Sequence, residues 1–162
     1  MIVYPENIEH TYQMAQWACE RLGEPLEAFG FNRQGLPMFQ CMGFARDGKL
    51  LCVVVAYHKT EDNIFMAFAA DSPRWASKEN VAALGAWAFK QLGVKRVTAA
   101  VKKNNRRARK FDEGIGFKLE GKIRKCHKGG DIMIYGMLKD EHEEWLRKAF
   151  NGKQGKHHST ES

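Results

Sequence analysis

The stretch "VTAAVKKNNRRARKFDEGIGFKLEGKIR", from Val97 to Arg124, decides how the rest of the chain is interpreted. It holds nine Lys and Arg residues between a β-branched start and a Gly-Phe pair. Steps of about 100° from Asn105 place Ala108, Phe111 and Ile115 on one apolar arc. The pattern therefore predicts an amphipathic helix with one buried face.

The opposite side of this predicted helix is basic. It carries Arg106, Arg107, Arg109 and Lys110, together with Glu113. The simpler interpretation is a solvated surface. The functional interpretation is contact with the phosphates of a cofactor or of a nucleic acid. Both interpretations stay open at the level of sequence.

Length and composition predict one globular domain at 1–150 and a disordered polar tail at 151–162. The chain has 162 residues, of which 44% are hydrophobic and 28% charged. No apolar run reaches the roughly 18 residues that a membrane helix needs, and the N-terminus has no export pattern, so we expect a cytoplasmic protein without a membrane partner. The net charge of +7 favours phosphate-bearing or polyanionic partners.

The four cysteines do not predict a metal site or a disulfide framework. They lack CxxC spacing and a nearby His pair, and we interpret them as core or surface thiols. They are Cys19, Cys41, Cys52 and Cys126.

The first half of the chain predicts a helix followed by antiparallel strands. Asn7 is placed to cap a helix from Ile8 to Leu22, after a short strand "MIVY". The segment "PLEAFGFNRQGLP" predicts an irregular or briefly helical stretch. Breaks at Asp47-Gly48 and at 61–63 then predict three strands, of which the third, Ile64 to Ala70, is apolar on both faces and therefore central.

A strand-helix-strand unit follows. A helix from Lys78 to Leu92 leads into a strand from Val94 to Val101, which we expect to lie parallel to Ile64 to Ala70. Beyond the basic helix, strands are predicted from Phe117 to Lys125 and from Asp131 to Leu138, and a helix over "DEHEEWLRKAF".

The residues from Asn105 to Arg124 also carry a family resemblance. "NRRARKFDEGIGFKLEGKIR" resembles the Asn-x-x-Ala helix and Gly-Phe-x-x-Glu-Gly-x-x-Arg motif of the Gcn5-related N-acetyltransferases (GNAT), and "GDIMIYGMLKDEHEEWL" is similar to their final strand. The likeness is to the branch of ribosomal-protein N-acetyltransferases and small phage-encoded relatives, which implies a bacterial or phage-infected cell. It further implies an α/β (α+β) fold with flanking helices and a mixed central sheet in which two parallel strands splay apart.

The resemblance implies acetyl-coenzyme A (acetyl-CoA) as co-substrate. Its pantetheine arm would pair with the strand at Phe68 to Asp71 and touch Asn105. Its pyrophosphate would bind backbone N–H groups at the start of the Lys78 helix. The implied cofactor-binding residues are Phe68, Ala69, Ala70, Asp71, Arg74, Trp75, Ala76, Ser77, Lys78, Asn105 and Ala108.

Two positions depart from the family pattern. The phosphate loop is usually glycine-rich, whereas "RWASKEN" has no glycine and adds the negative charge of Glu79. Asp112 stands where many members have a tyrosine that protonates the leaving thiolate. With its reference pKa of about 3.9, an aspartate is a poor acid at neutral pH unless burial raises that pKa.

The remaining catalytic candidates each have a structural alternative. Asp62 and His58 are candidate bases, and both residue types are also common at turns and strand ends. Tyr135 is a candidate acid, although a buried ring with an exposed hydroxyl is the commoner explanation for such a residue. Trp75 either covers a cofactor or pins the loop to the core. An N-terminal amine as acceptor would need no strong base, since its pKa is only about 8.

The predicted function is acetyl transfer from acetyl-CoA to a primary amine of a protein or small molecule, by direct attack on the thioester. The alternative is a catalytically degenerate binding module of the same fold that contacts nucleic acid or a nucleoprotein partner through Arg106, Arg107 and Lys110. A third possibility combines them, as an enzyme that acts on a nucleic-acid-associated acceptor. We expect a monomer or a homodimer.

Overall fold

Seven strands form one mixed sheet in the order β1-β2-β3-β4-β5-β7-β6. The computed structural model describes residues 1–161, with side chains through 152. Neighbouring strands are antiparallel except β4 and β5, which are parallel. The strands are β1 Ile2–Val3, β2 Phe39–Arg46, β3 Lys49–Tyr57, β4 Asn63–Ala70, β5 Arg96–Lys102, β6 Lys118–His127 and β7 Gly130–Leu138. The predicted fold class is confirmed.

Four helices flank the sheet: α1 Ile8–Leu22, α2 Lys78–Ala86, α3 Arg106–Gly114 and α4 Lys139–Glu161. Short 3₁₀ turns span Leu26–Phe29 and Pro73–Trp75. α4 runs beyond the predicted Asp140 to Phe150. The disordered tail predicted at 151–162 falls largely on residues whose side chains lie outside the described part of the chain, and it stays a prediction.

Alternation along β3 divides the core between the two faces of the sheet. Val54 belongs to a cluster with residues of α2, such as Val81, whereas Val53 belongs to a cluster with residues of α1, such as Ala15. Successive strand residues point to opposite faces. α1 therefore covers one face of the sheet, and α2 covers the other face together with Phe111 of α3 and Trp145 of α4, which pack on its cluster.

The crossover helix differs from the prediction at its end. The predicted helix from Lys78 to Leu92 is α-helical only to Ala86 and continues as a π-helical turn over Trp87–Gln91. The N–H of Leu92 donates to the carbonyl of Trp87, five residues back. The wider turn accompanies three consecutive buried residues, 87–89.

The parallel strand begins later than the predicted Val94. The N–H of Val94 donates to the carbonyl of Ala88, and those of Lys95 and Arg96 donate to the carbonyl of Asp62. These bonds tie the start of β5 to the preceding helix and to the turn before β4. Regular pairing with β4 therefore starts at Arg96.

Candidate active site

The two parallel strands separate after a short paired segment. β4 and β5 pair over three positions only, from Asn63↔Arg96 to Phe65↔Thr98. β4 nevertheless continues to Ala70 and β5 to Lys102. The second half of β4 therefore turns an unpaired edge towards β5, where its N–H and C=O groups are open to an extended ligand. The splay implied by the resemblance is present.

The loop after β4 is organised by two serine caps. Ser72 Oγ accepts a hydrogen bond from the N–H of Arg74, and Ser77 Oγ accepts one from the N–H of Asn80. The first-turn N–H groups of Lys78 and Glu79 have no hydrogen-bond partner among the described side chains, which end at residue 152. The start of α2 thus keeps two donors for an anion, with the carboxylate of Glu79 in the same turn.

The Trp75 ring lies in the core. Its side chain is 2% exposed, and its ring centroid is 4.8 Å from that of Phe44, 5.4 Å from Phe111 and 6.2 Å from Phe68. Its carbonyl accepts a hydrogen bond from Asn80 Nδ2 at 2.6 Å. Trp75 therefore pins the loop to the sheet and to α3.

Lys78 and Asp71 are already engaged by side chains. The Lys78 ammonium lies 4.7 Å from the ring centroid of Phe150 in α4. Both carboxylate oxygens of Asp71 accept from Arg21 of α1, at 2.8 and 3.1 Å, and this pairing lowers the pKa of Asp71. The two ends of the loop are thus tied to α4 and α1.

The start of α3 carries Asn105 as its cap. Asn105 Oδ1 accepts a hydrogen bond from the N–H of Ala108 at 3.1 Å, and Asn105 is exposed. One turn further on, the ring of Phe111 lies 5.8 Å from that of Phe68 on β4. α3 therefore packs against β4 next to the point where β4 and β5 separate.

Asp112 is the buried acid of α3. It is 2% exposed, and its Oδ2 has no hydrogen-bond partner among the described residues. Burial, followed by the negative charge of Glu113, raises the pKa of Asp112 to about 7. A carboxyl group with that pKa is partly protonated at neutral pH and can donate a proton.

Tyr135 is fully buried on β7, and its hydroxyl is bound to α3. The hydroxyl donates to Glu113 Oε1 at 3.0 Å and accepts from Arg109 Nε at 3.1 Å. Of the four basic residues of α3, Arg109 departs from the solvated interpretation: its side chain is half-buried and holds the hydroxyl of the buried tyrosine. Arg106, Arg107 and Lys110 are exposed, as the helical pattern predicted.

The structure does not bring Asp62 and His58 to the same end of β4 as the phosphate loop. Six extended residues, at about 3.3 Å each, separate Asp62 from Phe68, roughly 20 Å. The Asp62 carboxylate is exposed and pairs with Lys95 at 3.0 Å. His58 is exposed with φ 51°, and its ring lies 4.9 Å from Tyr57.

A polar network that the sequence did not predict lies beside the paired segment. Thr98 Oγ1 donates to Asn63 Oδ1 at 2.7 Å and accepts from the Arg96 guanidinium. Arg96 in turn pairs with Glu120 at 2.6 Å. Val97 and Ala99 belong to the core on the α2 face, so Thr98 points to the opposite face. The alternation of Arg96 and Thr98 on one face of β5 was the available sequence signal.

Within residues 1–161, no helix has the length and apolar character needed to cross a membrane. Among the side chains that the structure describes, through residue 152, no group of three His, Cys, Asp or Glu is placed to bind a metal. The four cysteines are free thiols, three buried and Cys126 exposed.

No family model and no curated protein matches the sequence. Solved structures do match the fold. A mutant form of the spermidine/spermine N-acetyltransferase of Vibrio cholerae is 11% identical, with a TM-score of 0.64 over 89% of this chain and 97% of that one. The ribosomal-protein-S5-alanine acetyltransferase of Vibrio fischeri is 15% identical, with a TM-score of 0.62 over 86% and 92%. A GNAT-family acetyltransferase of Bacillus anthracis is 19% identical, with a TM-score of 0.52 over 64% and 68%. The chain therefore has the fold of the Gcn5-related N-acetyltransferases.

Proposed function

We propose that this protein transfers an acetyl group from acetyl-CoA to a primary amine of a protein or small molecule. The observation that carries the proposal is the separation of β4 from β5 after Phe65, which leaves the second half of β4 with an open edge. Similar solved structures belong to acetyltransferases, which supports the same general chemistry.

The residues around the open edge fit the co-substrate. The arm of acetyl-CoA is a chain of amides, which can pair with the strand at Phe68 to Asp71 as a β-strand would. The free N–H groups of Lys78 and Glu79, at the positive end of the α2 dipole, suit the pyrophosphate. Arg74 and Ser77 belong to the same loop, and Asn105 stands at the start of α3.

Asp112 is the proposed proton donor. The amine nitrogen attacks the thioester carbonyl carbon, the carbon–sulfur bond breaks, and the departing thiolate takes up a proton. Asp112 suits this step because its pKa of about 7 keeps part of it protonated at neutral pH. Tyr135 is less suited, because its hydroxyl is already held by Glu113 and Arg109.

No dedicated base is assigned to the attacking amine. Asp62 and His58 lie at the far end of β4, and the Asp62 carboxylate is paired with Lys95. An acceptor amine with a pKa near 8 supplies its own neutral fraction at neutral pH. An N-terminal α-amine fits this site better than a lysine side chain, whose reference pKa is about 10.4.

Calorimetric titration with acetyl-CoA, followed by measurement of free thiol release with a panel of amines, tests the proposal. Glu79→Gln is expected to tighten acetyl-CoA binding several-fold, because it removes a negative charge beside the pyrophosphate. Glu9→Gln makes the same change in the first turn of α1 and is expected to leave affinity unchanged. Absence of binding at millimolar acetyl-CoA would refute the proposal.

A specific observation also favours the binding-module alternative. Arg106, Arg107 and Lys110 are exposed on α3, and none of them forms an ion pair with another described residue. Such a face suits contact with a phosphate backbone. Oligonucleotide affinity that falls steeply with salt, and is lost when these three residues become Glu, would support the alternative. Affinity indifferent to salt would exclude it.

A further inference from the structure

A basic cavity of about 620 Å³ lies between the start of α3 and the β6–β7 hairpin. Its lining includes Lys103, Arg106, Arg109, His127, Gly130 and Asp131. We propose that this cavity binds a phosphate-bearing small molecule, at a site separate from the opening between β4 and β5. The proposal does not depend on acetyl transfer.

Arg109 is held in place before any ligand arrives. Its Nε donates to the hydroxyl of Tyr135 at 3.1 Å, and its Nη1 donates to the carbonyl of Lys103 at 3.1 Å. Tyr135 is itself fixed, because it is fully buried and donates to Glu113. Two anchors therefore orient the guanidinium, and its remaining N–H groups keep the fork geometry that binds phosphate oxygens. A fixed arginine loses little conformational entropy on binding.

Positive charge exceeds negative charge around the cavity. Lys103, Arg106 and Arg109 are cationic, and Asp131 is the single carboxylate in the lining. Asp131 is partly neutralised by its neighbours: its Oδ2 lies 3.9 Å from Lys103 Nζ, and its Oδ1 accepts from the N–H of Lys125 at 2.9 Å. These contacts, the hydrogen bond from Lys125 first, lower the pKa of Asp131. The cavity is therefore electropositive and suits an anion.

His127 forms hydrogen bonds within the β6–β7 hairpin that lines one side of the cavity. The N–H of Gly129 donates to His127 Nδ1 at 3.0 Å, and His127 Nε2 lies 3.3 Å from the carbonyl oxygen of Asp131. With Nδ1 accepting from Gly129, Nε2 is placed to donate to the Asp131 carbonyl oxygen. His127 thus shapes the wall, and the cations of the site are Lys103, Arg106 and Arg109.

α3 separates the cavity from the proposed acetyl-CoA site. Arg109 reaches Tyr135 on β7, whereas Phe111 of the same helix contacts Phe68 on β4. The cavity therefore lies on the β7 side of α3, and the open edge of β4 on the other. A volume of about 620 Å³ lies in the range of pockets that hold small ligands, 300 to 1,000 Å³. The cavity opens to solvent, and its volume accommodates a phosphate ester the size of a mononucleotide.

Amide chemical shifts recorded by NMR during titration with inorganic phosphate and with adenosine monophosphate test the proposal. Both ligands are expected to shift the amides of Arg106, Arg109 and Gly130. Arg106→Gln and Lys103→Gln are each expected to weaken binding by roughly tenfold, the effect of one charge-assisted hydrogen bond. Arg107→Gln removes the same charge from the neighbouring residue, which does not line the cavity, and is expected to leave affinity unchanged.

Three outcomes would overturn the proposal. The first is absence of shifts with either phosphate ligand. The second is equal weakening by Arg106→Gln and Arg107→Gln, with measurable binding only of an oligonucleotide, which would assign the effect to the exposed basic face. The third is displacement of adenosine monophosphate by coenzyme A, which would make the cavity part of the cofactor site.

Discussion

Gly85 of α2 lies directly against the imidazole of His142 of α4. A Cβ atom built at Gly85 would overlap the ring of His142, so α2 and α4 pack here only because position 85 has no side chain. His142 is 4% exposed and its ring lies 5.6 Å from that of Phe89. The contact links residues 57 positions apart in the sequence.

Gly85→Ala is expected to lower the free energy of unfolding by about 1–3 kcal/mol, because the added methyl group overpacks the α2–α4 contact. The clash outweighs the gain of up to about 1 kcal/mol that alanine brings to a helix interior. Urea denaturation measures the change. Gly114→Ala in α3 is the control, since an added Cβ there meets no atom within 4 Å. A Gly85→Ala protein as stable as the wild type, or no rescue by His142→Ala in the double variant, would contradict this account.

The buried imidazole of His142 is expected to destabilise the fold in acid. Neither ring nitrogen has a hydrogen-bond partner within the described residues, and burial lowers the pKa of His142 below its ordinary 6.5. The unfolded chain therefore takes up a proton at a higher pH than the folded chain, and stability falls as the pH drops below about 6.5. His142→Leu should lose less stability than the wild type between pH 7 and pH 5. The half-buried His10 near the start of α1, substituted by Gln, is the control. An unchanged pH dependence in His142→Leu would refute the explanation.

Asp112 is expected to have the opposite effect on the pH dependence of stability, so that it destabilises the fold as the pH rises. Its pKa in the folded protein is about 7, above its ordinary 3.8, so the folded state holds a proton that the unfolded state has released. This contribution to stability is complete below about pH 4 and is lost as the pH rises through 7, to a total of about 4 kcal/mol. Asp112→Asn should therefore be nearly as stable as the wild type below about pH 4 and more stable at pH 8. The exposed Asp62→Asn should show no such trend.

The same Asp112→Asn variant separates a catalytic role from a structural one. If Asp112 donates the proton, kcat should fall by roughly 10²- to 10⁴-fold while affinity for acetyl-CoA is retained. Because the neutral fraction of the amine rises up to about pH 8 while protonated Asp112 is lost above about pH 7, the rate of the wild type should peak between these values and decline above pH 8. That decline should be absent from the residual activity of the variant. A wild-type rate that does not decline above pH 8, or a kcat unchanged in Asp112→Asn, would remove Asp112 from the mechanism.

Elements with local signals could be predicted from the sequence. Asn7 and Gly23 mark the ends of α1, because capping needs only neighbouring residues. The turn at Asp47-Gly48 has positive φ angles, 53° and 74°, which these residue types tolerate. Contacts between distant residues could not be predicted this way. A helical projection of α3 places Arg109 on the basic side of the helix. It includes no residue of β7, so it cannot show that Arg109 binds the buried Tyr135 hydroxyl.

The candidate site also combines features that local sequence predicts with features that depend on contacts between distant elements. The position of Asp112 at the edge of the buried arc follows from helical spacing. Its pKa does not, because it depends on how completely other elements enclose the carboxyl group. The cavity beside α3 was likewise beyond the sequence, since it joins Arg106 to Asp131 through the register of β5 with β7.

Asn105 has two possible roles that substitution can separate. As the cap of α3 it needs only its side-chain oxygen, whereas contact with an amide-rich ligand also uses its NH₂ group. Asn105→Ala removes both and should cost about 1 kcal/mol of stability. Asn105→Asp keeps the capping oxygen and is favoured by the helix dipole, so it should leave stability unchanged. If Asn105 contacts the pantetheine arm, both variants weaken acetyl-CoA binding, measured by calorimetry, although only Asn105→Ala lowers stability. Unchanged affinity in the aspartate variant, with weakening confined to alanine, would show that Asn105 acts only by capping α3.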